Sequence, residues 1–182
     1  MLGLRSQSLP SPGVTISMER ATSSTLLLRT HKTERTIMIR SSKAVWKGSG
    51  KEGNGKLTST SGVLKETPYS FETRFVSEDG KAGTNPEELI AAAHAGCFTM
   101  KLSFLMGNKG FTPDELDCTS EVKLGPVEGG TGITGIHLVL NAKVPGISQA
   151  DFDACAEDAK VNCPISQVLK AVPITLSATL AK

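Results

Sequence analysis

Six short segments of the chain carry the residue pattern of β-strands, several of them with hydrophobic and polar residues in alternation. Such a period of two places successive side chains on opposite faces of a strand. In the third segment, residues 71–75, the two phenylalanines share one face and Arg74 lies on the other. A glycine-rich turn at residues 48–55 joins the first two segments, which predicts a small antiparallel sheet. The six predicted strands are residues 44–48, 56–60, 71–75, 116–124, 132–144 and 173–180.

A long and almost wholly apolar segment, residues 89–106, lies between the third and fourth predicted strands. The residues before it form a helix start, in which Thr84 or Asn85 serves as the N-cap and Pro86 occupies the first helical position. The two glutamates that follow Pro86 suit the positive end of the helix dipole. A helix that is apolar all round is buried. We therefore expect this helix to be covered by a sheet or by a second subunit.

Two further helices are predicted near the C-terminus. Ser148 can cap a helix that starts near Gln149, and Pro164 marks a second helix start with Cys163 at the cap position. The apolar face of the first of these helices is formed by Phe152, Cys155, Ala156 and Ala159. The predicted element order is β-β-β-α-β-β-α-α-β, which is an α+β fold.

Residues 1–35 differ in composition from the rest of the chain. They contain five basic and two acidic residues and are rich in serine and threonine. Their longest compact apolar run, Leu26 to Leu28, is too short for the core of a secretory signal peptide. A transit peptide and an upstream misassigned start codon both give this bias. We predict that residues 1–35 are a disordered or weakly ordered extension, and that residues 36–182 form a single domain.

Length and charge exclude several classes of protein. The 182 residues fit one domain with a core of its own. With 20 basic and 18 acidic residues the net charge is +2, which argues against a nucleic-acid-binding protein and against a polybasic membrane-surface protein. No uninterrupted apolar run reaches the roughly 18 residues that indicate a membrane span, so we expect no membrane partner.

The four cysteines, Cys97, Cys118, Cys155 and Cys163, are the candidates for chemistry. The chain is longer than the small secreted domains that depend on a disulfide framework. Zinc ligands usually come in closely spaced pairs, and no two of these cysteines are that close. We therefore expect no metal. Two interpretations remain, namely inert buried thiols or a reactive pair in a reducing compartment, and the second favours a cytoplasmic location. Organellar targeting by residues 1–35 is the alternative.

Position distinguishes the four cysteines. Cys163 occupies a helix cap, where unsatisfied N–H groups and the helix dipole favour the thiolate. Cys97 lies inside the apolar helix and needs a nearby cation to become reactive. Cys118 and Cys155 have acidic neighbours and are interpreted as structural. His94 precedes Cys97 by three residues on the same helical face, which leaves a cysteine-dependent hydrolase with a histidine base as an alternative.

Two sequence motifs resemble a known family. Residues 83–98, GTNPEELIAAAHAGCF, are similar to the central signature of the osmotically inducible protein C (OsmC) family, which is related to the organic hydroperoxide resistance (Ohr) proteins. Residues 163–169, CPISQVL, resemble the second cysteine motif of that family. Residues 62–64 and 68–75 resemble the segment before the first motif. The similarity runs from about Ile37 to Lys182 and is closest to the OsmC subfamily.

The resemblance implies a thiol peroxidase (an oxidoreductase that acts on a peroxide as acceptor) in oxidative and osmotic stress defence. Cys97 would be the cysteine that attacks an organic hydroperoxide and becomes a sulfenic acid, and Cys163 would resolve it as a Cys97–Cys163 disulfide. Arg74 and Glu87 match the family's active-site arginine and glutamate. Arg74 would lower the pKa of Cys97, and Glu87 would orient Arg74.

The resemblance also implies an intertwined α+β homodimer, in which the central helices are buried between the sheets of both chains and two active sites lie at the interface. The external reductant would be a dithiol, such as a lipoylated protein, and no cofactor is implied. Which subunit supplies Arg74 to each site is left open. Two alternatives remain: a hydrolase that uses Cys97 and His94, and a non-catalytic stress-linked binding protein whose cysteines are merely buried.

Overall fold

The computed structural model describes residues 37–77 and 81–181 in full, together with the backbone of residues 14–17 and 29–32. The chain divides into two compact units, residues 1–41 and residues 42–182. In the first unit, strand β1 (Val14–Ser17) pairs antiparallel with strand β2 (Arg29–Lys32). The other residues of the segment 1–35 lie outside the described residues, so its weak order stays a prediction.

The second unit begins with a three-stranded antiparallel sheet in the order β3-β4-β5. Its strands are β3 (Ser42–Lys47), β4 (Asn54–Ser59) and β5 (Thr67–Ser70). Gly55 of β4 lies opposite Tyr69 of β5, and a Cβ atom at Gly55 would come within 2.3 Å of the Tyr69 ring. Only glycine therefore fits at this position. The predicted small antiparallel sheet is confirmed, with a shift in its third strand.

The segment predicted as the third strand is instead helix α1 (Phe71–Phe75). Ser70 and Thr73 form a capping box: the Thr73 N–H donates to Ser70 Oγ at 3.1 Å, and the Ser70 N–H donates to Thr73 Oγ1 at 2.9 Å. These two bonds satisfy free backbone donors at the helix start. The two phenylalanines, four residues apart, are in contact on one side of the helix, with ring centroids 4.9 Å apart and the ring planes tilted by 43°. The strand prediction was wrong because a spacing of four fits either a strand face or a helix face.

The long apolar helix, α2 (Pro86–Asn108), begins as predicted. Asn85 is the N-cap, and its Oδ1 accepts a hydrogen bond from the Glu88 N–H at 2.8 Å. One face of α2 is buried and consists of His94, Phe98, Leu102 and Met106. By length and hydropathy α2 is the one helix among the described residues that is able to span a membrane, but this buried face packs on a sheet.

The prediction that α2 is buried all round is not met within one chain. Met100 and Phe104, on the side away from the core, are 64% and 68% exposed. Ala92 and Gly96 are exposed on the same side. A single chain therefore leaves an apolar stripe of α2 uncovered. The residues of this stripe lie four positions apart along the helix.

The second sheet, in the order β6-β7-β8, forms the other side of the core. Strands β6 (Glu115–Val127) and β7 (Gly130–Lys143) form a long antiparallel hairpin. Strand β8 (Ile174–Leu180) pairs parallel with β7. A parallel pair needs a crossover connection, which helices α3 (Gln149–Asn162) and α4 (Pro164–Leu169) provide.

The hydrophobic core lies between this sheet and helices α2 and α3. The predicted apolar face of α3 is confirmed, since all four of its residues are buried. The largest fully buried hydrophobic side chains of the core are Phe98, Leu102, Met106, Leu138, Leu140 and Phe152. The α+β fold class is confirmed. Because the crossover returns along α2, the start of α4 lies beside the middle of that helix.

Candidate active site

Cys97 and Cys163 lie side by side where α4 meets α2. Cys97 is half-buried in the middle of α2, and Cys163 is buried at the junction that ends α3 and begins α4. The thiols of Cys97 and Cys163 are in hydrogen-bonding contact, with the Sγ atoms 2.7 Å apart. Both thiols are free. A small movement of either side chain would bring the sulfurs to disulfide distance.

Burial is the main influence on the pKa of Cys97 and raises it above its ordinary value. The hydrogen bond with Cys163 raises this pKa further, and a hydrogen bond with the Ile165 backbone lowers it. Desolvation opposes the charged form of a thiol, and so does a hydrogen bond that the thiol itself donates, here to Cys163, whereas the Ile165 hydrogen bond to the sulfur favours the thiolate. Within one chain Cys97 is therefore held predominantly as the thiol at neutral pH.

Arg74 and Glu87 form a bidentate ion pair between α1 and the first turn of α2. Arg74 Nε donates to Glu87 Oε2 at 3.0 Å, and Arg74 Nη2 donates to Glu87 Oε1 at 2.6 Å. The guanidinium also lies 4.9 Å from the centroid of the Phe75 ring. The Glu87 side chain is only 13% exposed. A planar fork paired in this way is held in one orientation.

The Arg74–Glu87 pair borders a cavity of about 420 Å³ at the start of α2. Besides this pair, its polar lining includes Asn85, Glu88 and Ser120. Ala91 of α2 and the apolar side chains of Val122 and Leu124 of β6 complete it. The cavity thus combines one cation, the carboxylates of Glu87 and Glu88, and an apolar wall.

The four residues implied by the resemblance form two groups within one chain. Cys97 follows Glu87 by ten residues on the same helix, which corresponds to about 15 Å along the helix axis. The influences on the pKa of Cys97 do not include Arg74. The chain therefore places Arg74 with Glu87, and Cys97 with Cys163, but does not bring the guanidinium to the sulfur.

His94 hydrogen-bonds to Ser166 instead of to Cys97. His94 Nε2 lies 2.8 Å from Ser166 Oγ, and both side chains are buried. His94 Nδ1 has no hydrogen-bond partner. Burial lowers the pKa of His94. Neither nitrogen is placed to take a proton from Cys97, which removes the geometric basis of the hydrolase alternative.

The sequence pattern did not identify Ser166 as a site residue. Its signal is nevertheless visible: Ser166 follows Cys163 by three residues, just as His94 precedes Cys97 by three. Side chains three apart on a helix share a face. Two helices that each carry such a pair can therefore contact each other at both residues. Here His94 meets Ser166, and Cys97 meets Cys163.

The other two cysteines are embedded in the fold. Burial, together with the neighbouring Asp117, raises the pKa of Cys118 to about 11. Burial likewise raises the pKa of Cys155, which packs in the core cluster. The raised pKa keeps both of these thiols protonated near neutral pH. Over residues 37–77 and 81–181, no group of three or more His, Cys, Asp or Glu side chains is arranged to hold a metal ion.

The known proteins that match this chain have related descriptions. The model of the family described as OsmC-like protein matches residues 78–177. The chain is 50% identical to peroxiredoxin OsmC of Escherichia coli over 137 residues, which covers 75% of this chain and 93% of the relative. It is 33% identical to the organic hydroperoxide resistance protein of Xanthomonas axonopodis pv. citri, over 54% of this chain and 68% of the relative.

A solved structure shares the fold. The crystal structure of the organic hydroperoxide resistance protein OhrB of Bacillus subtilis matches with a TM-score of 0.60 and 26% sequence identity. The match covers 76% of this chain and 98% of that protein.

Proposed function

The chain belongs to the OsmC-like protein family, and we propose that it reduces organic hydroperoxides to alcohols with Cys97 as the attacking thiol and Cys163 as the resolving thiol. Its relatives, a peroxiredoxin and organic hydroperoxide resistance proteins, make it a cysteine-based peroxidase in stress defence. The observation that carries the residue assignment is the 2.7 Å separation of the Cys97 and Cys163 sulfurs. Two thiols this close can form a disulfide with little rearrangement of the chain.

In the first step, the Cys97 thiolate attacks the distal oxygen of the hydroperoxide ROOH. A bond forms between sulfur and that oxygen while the O–O bond breaks, so sulfur loses two electrons and the peroxide gains them. The leaving alkoxide takes up a proton and departs as the alcohol ROH. Cys97 is left as a sulfenic acid.

In the second step, the Cys163 sulfur attacks the sulfenic sulfur of Cys97. The S–S bond forms as the S–O bond breaks, and the released hydroxide combines with the Cys163 proton as water. An external dithiol then reduces the disulfide by thiol exchange and is itself oxidised to a disulfide. We assign this dithiol to a lipoylated protein, the class that the family resemblance implies.

The Arg74–Glu87 pair is assigned to a site completed by a second copy of the chain. In one chain Arg74 is paired with Glu87, which lies about 15 Å from Cys97 along α2, whereas a cation beside the sulfur is what lowers a thiol pKa. A second copy with its α2 crossing the first can bring its own Arg74 to Cys97. The same guanidinium then donates to the peroxide oxygens as negative charge develops on the leaving group.

The exposed stripe of α2 supports a homodimer. Burying Met100 or Phe104 against a partner contributes about 1.5–3 kcal/mol for each side chain. A Cβ atom at Gly96 meets nothing within 4 Å in one chain. Glycine inside a helix costs about 1 kcal/mol relative to alanine, and this cost is offset if a second helix approaches closely at Gly96. The sheet β3-β4-β5 also leaves Val45 and Trp46 about 40% and 37% exposed.

The cavity beside Arg74 supports an organic hydroperoxide as the substrate. Its apolar wall, formed by Ala91, Val122 and Leu124, suits an alkyl or lipid chain, and the guanidinium suits the peroxide oxygens. Hydrogen peroxide has no group to fill the apolar part.

A steady-state assay tests the proposal. With dihydrolipoamide as the reductant, the protein is expected to reduce cumene hydroperoxide and t-butyl hydroperoxide with a higher kcat/KM than hydrogen peroxide. Glutathione in place of dihydrolipoamide is expected to support little turnover. An equal kcat/KM for hydrogen peroxide would contradict the substrate assignment, and turnover that persists in Cys97→Ser would contradict the mechanism.

A further inference from the structure

The proposed peroxidase mechanism leaves one buried polar pair without a role. His94 and Ser166 are 0% and 2% exposed, and the Nε2 and Oγ atoms lie 2.8 Å apart. Burying polar side chains costs free energy unless they are paired. Two apolar residues would fill the same space without that cost, so the pair requires an explanation of its own.

The pair joins the same two helices as the two cysteines. His94 and Cys97 lie three residues apart on α2, and Ser166 and Cys163 lie three residues apart at the start of α4. Polar contact occurs at two neighbouring points, between His94 and Ser166 and between Cys97 and Cys163. The first contact therefore acts beside the bond from the Cys163 N–H to the Ala159 carbonyl in holding the two sulfurs at their separation.

Helix α4 is joined to α2 at its start, by the His94–Ser166 bond, by the Cys97–Cys163 contact and by a hydrogen bond between the Ile165 backbone and Cys97. It is six residues long, and Ser166 is its one buried residue. Val168 is 78% exposed, and the N-cap Cys163 makes no side-chain capping bond. Its apolar residues Ile165 and Leu169 are only half-buried, and a helix this short without a side-chain cap is marginal by itself. Its position depends on contacts at its start, and the contact at Ser166 is the buried one.

The hydrogen bond also has a defined direction. Nδ1 of His94 has no partner, and a buried N–H without an acceptor is rarer than a buried acceptor without a donor. The ring proton is therefore assigned to Nε2, which donates to Ser166 Oγ. A neutral imidazole that donates through Nε2 is a fixed link between the two helices.

We propose that His94 and Ser166 are positioning residues for the resolving step: their hydrogen bond fixes the start of α4 against α2, so that the Cys163 sulfur stays within reach of the Cys97 sulfenic acid. This inference rests on the proposed function. The pair acts after the peroxide has reacted, when the S–S bond forms and water is released. It takes no part in the attack of Cys97 on the peroxide.

The test separates the two steps in a single turnover without reductant. His94→Leu and Ser166→Ala remove the hydrogen bond, and the formation of sulfenic acid is followed separately from the formation of the disulfide. A displacement of about 1 Å can cost up to ~10²-fold in rate, so we expect disulfide formation to slow by about tenfold or more. The rate of sulfenic acid formation is expected to stay within about twofold of wild type. Trapping of Cys97 by dimedone, and its overoxidation to sulfinic acid, should rise accordingly.

Conservative and matched variants distinguish positioning from loss of structure. The side-chain amide of His94→Gln can donate from nearly the same place as Nε2 and should restore most of the resolving rate. The double variant His94→Leu/Ser166→Ala should be no slower than the slower single variant, because both changes remove one bond. His137→Leu is the control, since His137 also bonds to hydroxyl side chains, Thr175 and Ser177, but on the sheet.

The possible results distinguish a failure of the proposed function from a failure of the positioning role. If the wild-type protein forms neither sulfenic acid nor disulfide, the proposed function fails. If wild type forms both, and His94→Leu and Ser166→Ala form the disulfide as fast as wild type, the positioning role is overturned. A slow resolving step that His94→Gln does not restore, or that His137→Leu shares, would also overturn it, because the effect would then be general destabilisation.

Discussion

The Sγ atoms of Cys97 and Cys163 lie 2.7 Å apart, although the two residues are separated by 66 positions in the chain. Helix α2 supplies one sulfur from its middle, and the junction between α3 and α4 supplies the other. Neither helix carries the pair alone. The separation is a product of the crossover that connects β7 to the parallel strand β8.

This geometry predicts distinct products in two cysteine variants. Cys97→Ser should lose peroxidase turnover by about three orders of magnitude or more, since no other thiol replaces an absent nucleophile. Cys163→Ser should complete one turnover and stop as a sulfenic acid, which dimedone labels at Cys97. Cys118→Ser is the matched control and should keep full turnover, because the pKa of about 11 keeps that thiol protonated. Intact-mass and peptide analysis after one equivalent of cumene hydroperoxide measures each product. A Cys97–Cys118 disulfide would contradict the assignment.

The local chemistry of helix ends was predictable from sequence. Asn85, Ser148 and Pro164 mark the starts of three helices as expected, because caps and N1 prolines act within one turn. The region 71–75 was mistaken for a strand because its two phenylalanines fit both periods. The capping box between Ser70 and Thr73 was the local signal that distinguished a helix from a strand.

Contacts between residues far apart in the chain were harder to predict from the sequence. The bond between His94 and Ser166 spans 72 positions and depends on how α4 docks, so the three-residue spacing of each residue from its cysteine indicates the pair only once the two cysteines are known to meet. The separation of Arg74 from Cys97 was also hidden, since the resemblance indicates which residues share a site but not which chain supplies them. The all-round apolar character of α2 did point to a covering subunit, and the exposed stripe that contains Met100 is where the single chain leaves that requirement unmet.

Placing a charge in the exposed stripe of α2 should prevent dimerisation. Met100→Glu adds a carboxylate that has to be desolvated on association, which is costly without a partner. We expect a monomer by sedimentation equilibrium, and loss of peroxidase activity with it. Val127→Glu, a charge on a partly exposed valine at the end of β6, is the control and should leave the mass and the activity unchanged. A dimeric Met100→Glu protein with wild-type activity would contradict the interface.

The same variant should change the pH dependence of Cys97 alkylation. In a single chain, burial and then the hydrogen bond with Cys163 raise the pKa of Cys97. A raised pKa means that the reactive thiolate appears only at higher pH, so the alkylation rate of the Met100→Glu monomer should rise at a pH above that of a free cysteine. In the proposed dimer, the guanidinium of a partner would favour the thiolate and should move this rise to lower pH. Iodoacetamide labelling of the Cys97 peptide, followed by mass spectrometry across pH, measures both midpoints. Coincident midpoints in monomer and dimer would show that no partner cation acts on Cys97.

Cys118 predicts a loss of stability at alkaline pH. Burial, and secondarily Asp117, raise its pKa from an ordinary 9.0 to about 11 in the folded chain. Between these values the folded state keeps a proton that the unfolded state has lost, so the free energy of unfolding falls as pH rises through this window. Cys118→Ser removes the titrating thiol and should give a flatter dependence than wild type from pH 9 to 11. Urea unfolding at several pH values measures the slopes. Parallel curves for the two proteins would contradict the raised pKa.

Mixed dimers should reveal which chain supplies Arg74 to each site. Arg74→Ala is expected to be nearly inactive, and Arg74→Lys to recover little, because a point charge does not reproduce the planar fork that Glu87 holds in two hydrogen bonds. When Arg74→Ala chains are combined with Cys97→Ser chains, the two inactive proteins complement each other only if Arg74 acts on the Cys97 of its partner. One site of each mixed dimer then has both an intact Cys97 and an intact Arg74, and the purified mixed dimer should show about half the activity of wild type. Combining Cys97→Ser with Cys163→Ser is the control: these two residues act within one chain, so that mixture should recover no disulfide-forming site. Absence of activity in the Arg74→Ala/Cys97→Ser dimer would place Arg74 and Cys97 of the same chain in one site, and would require α1 to move along α2 from the position it holds beside Glu87.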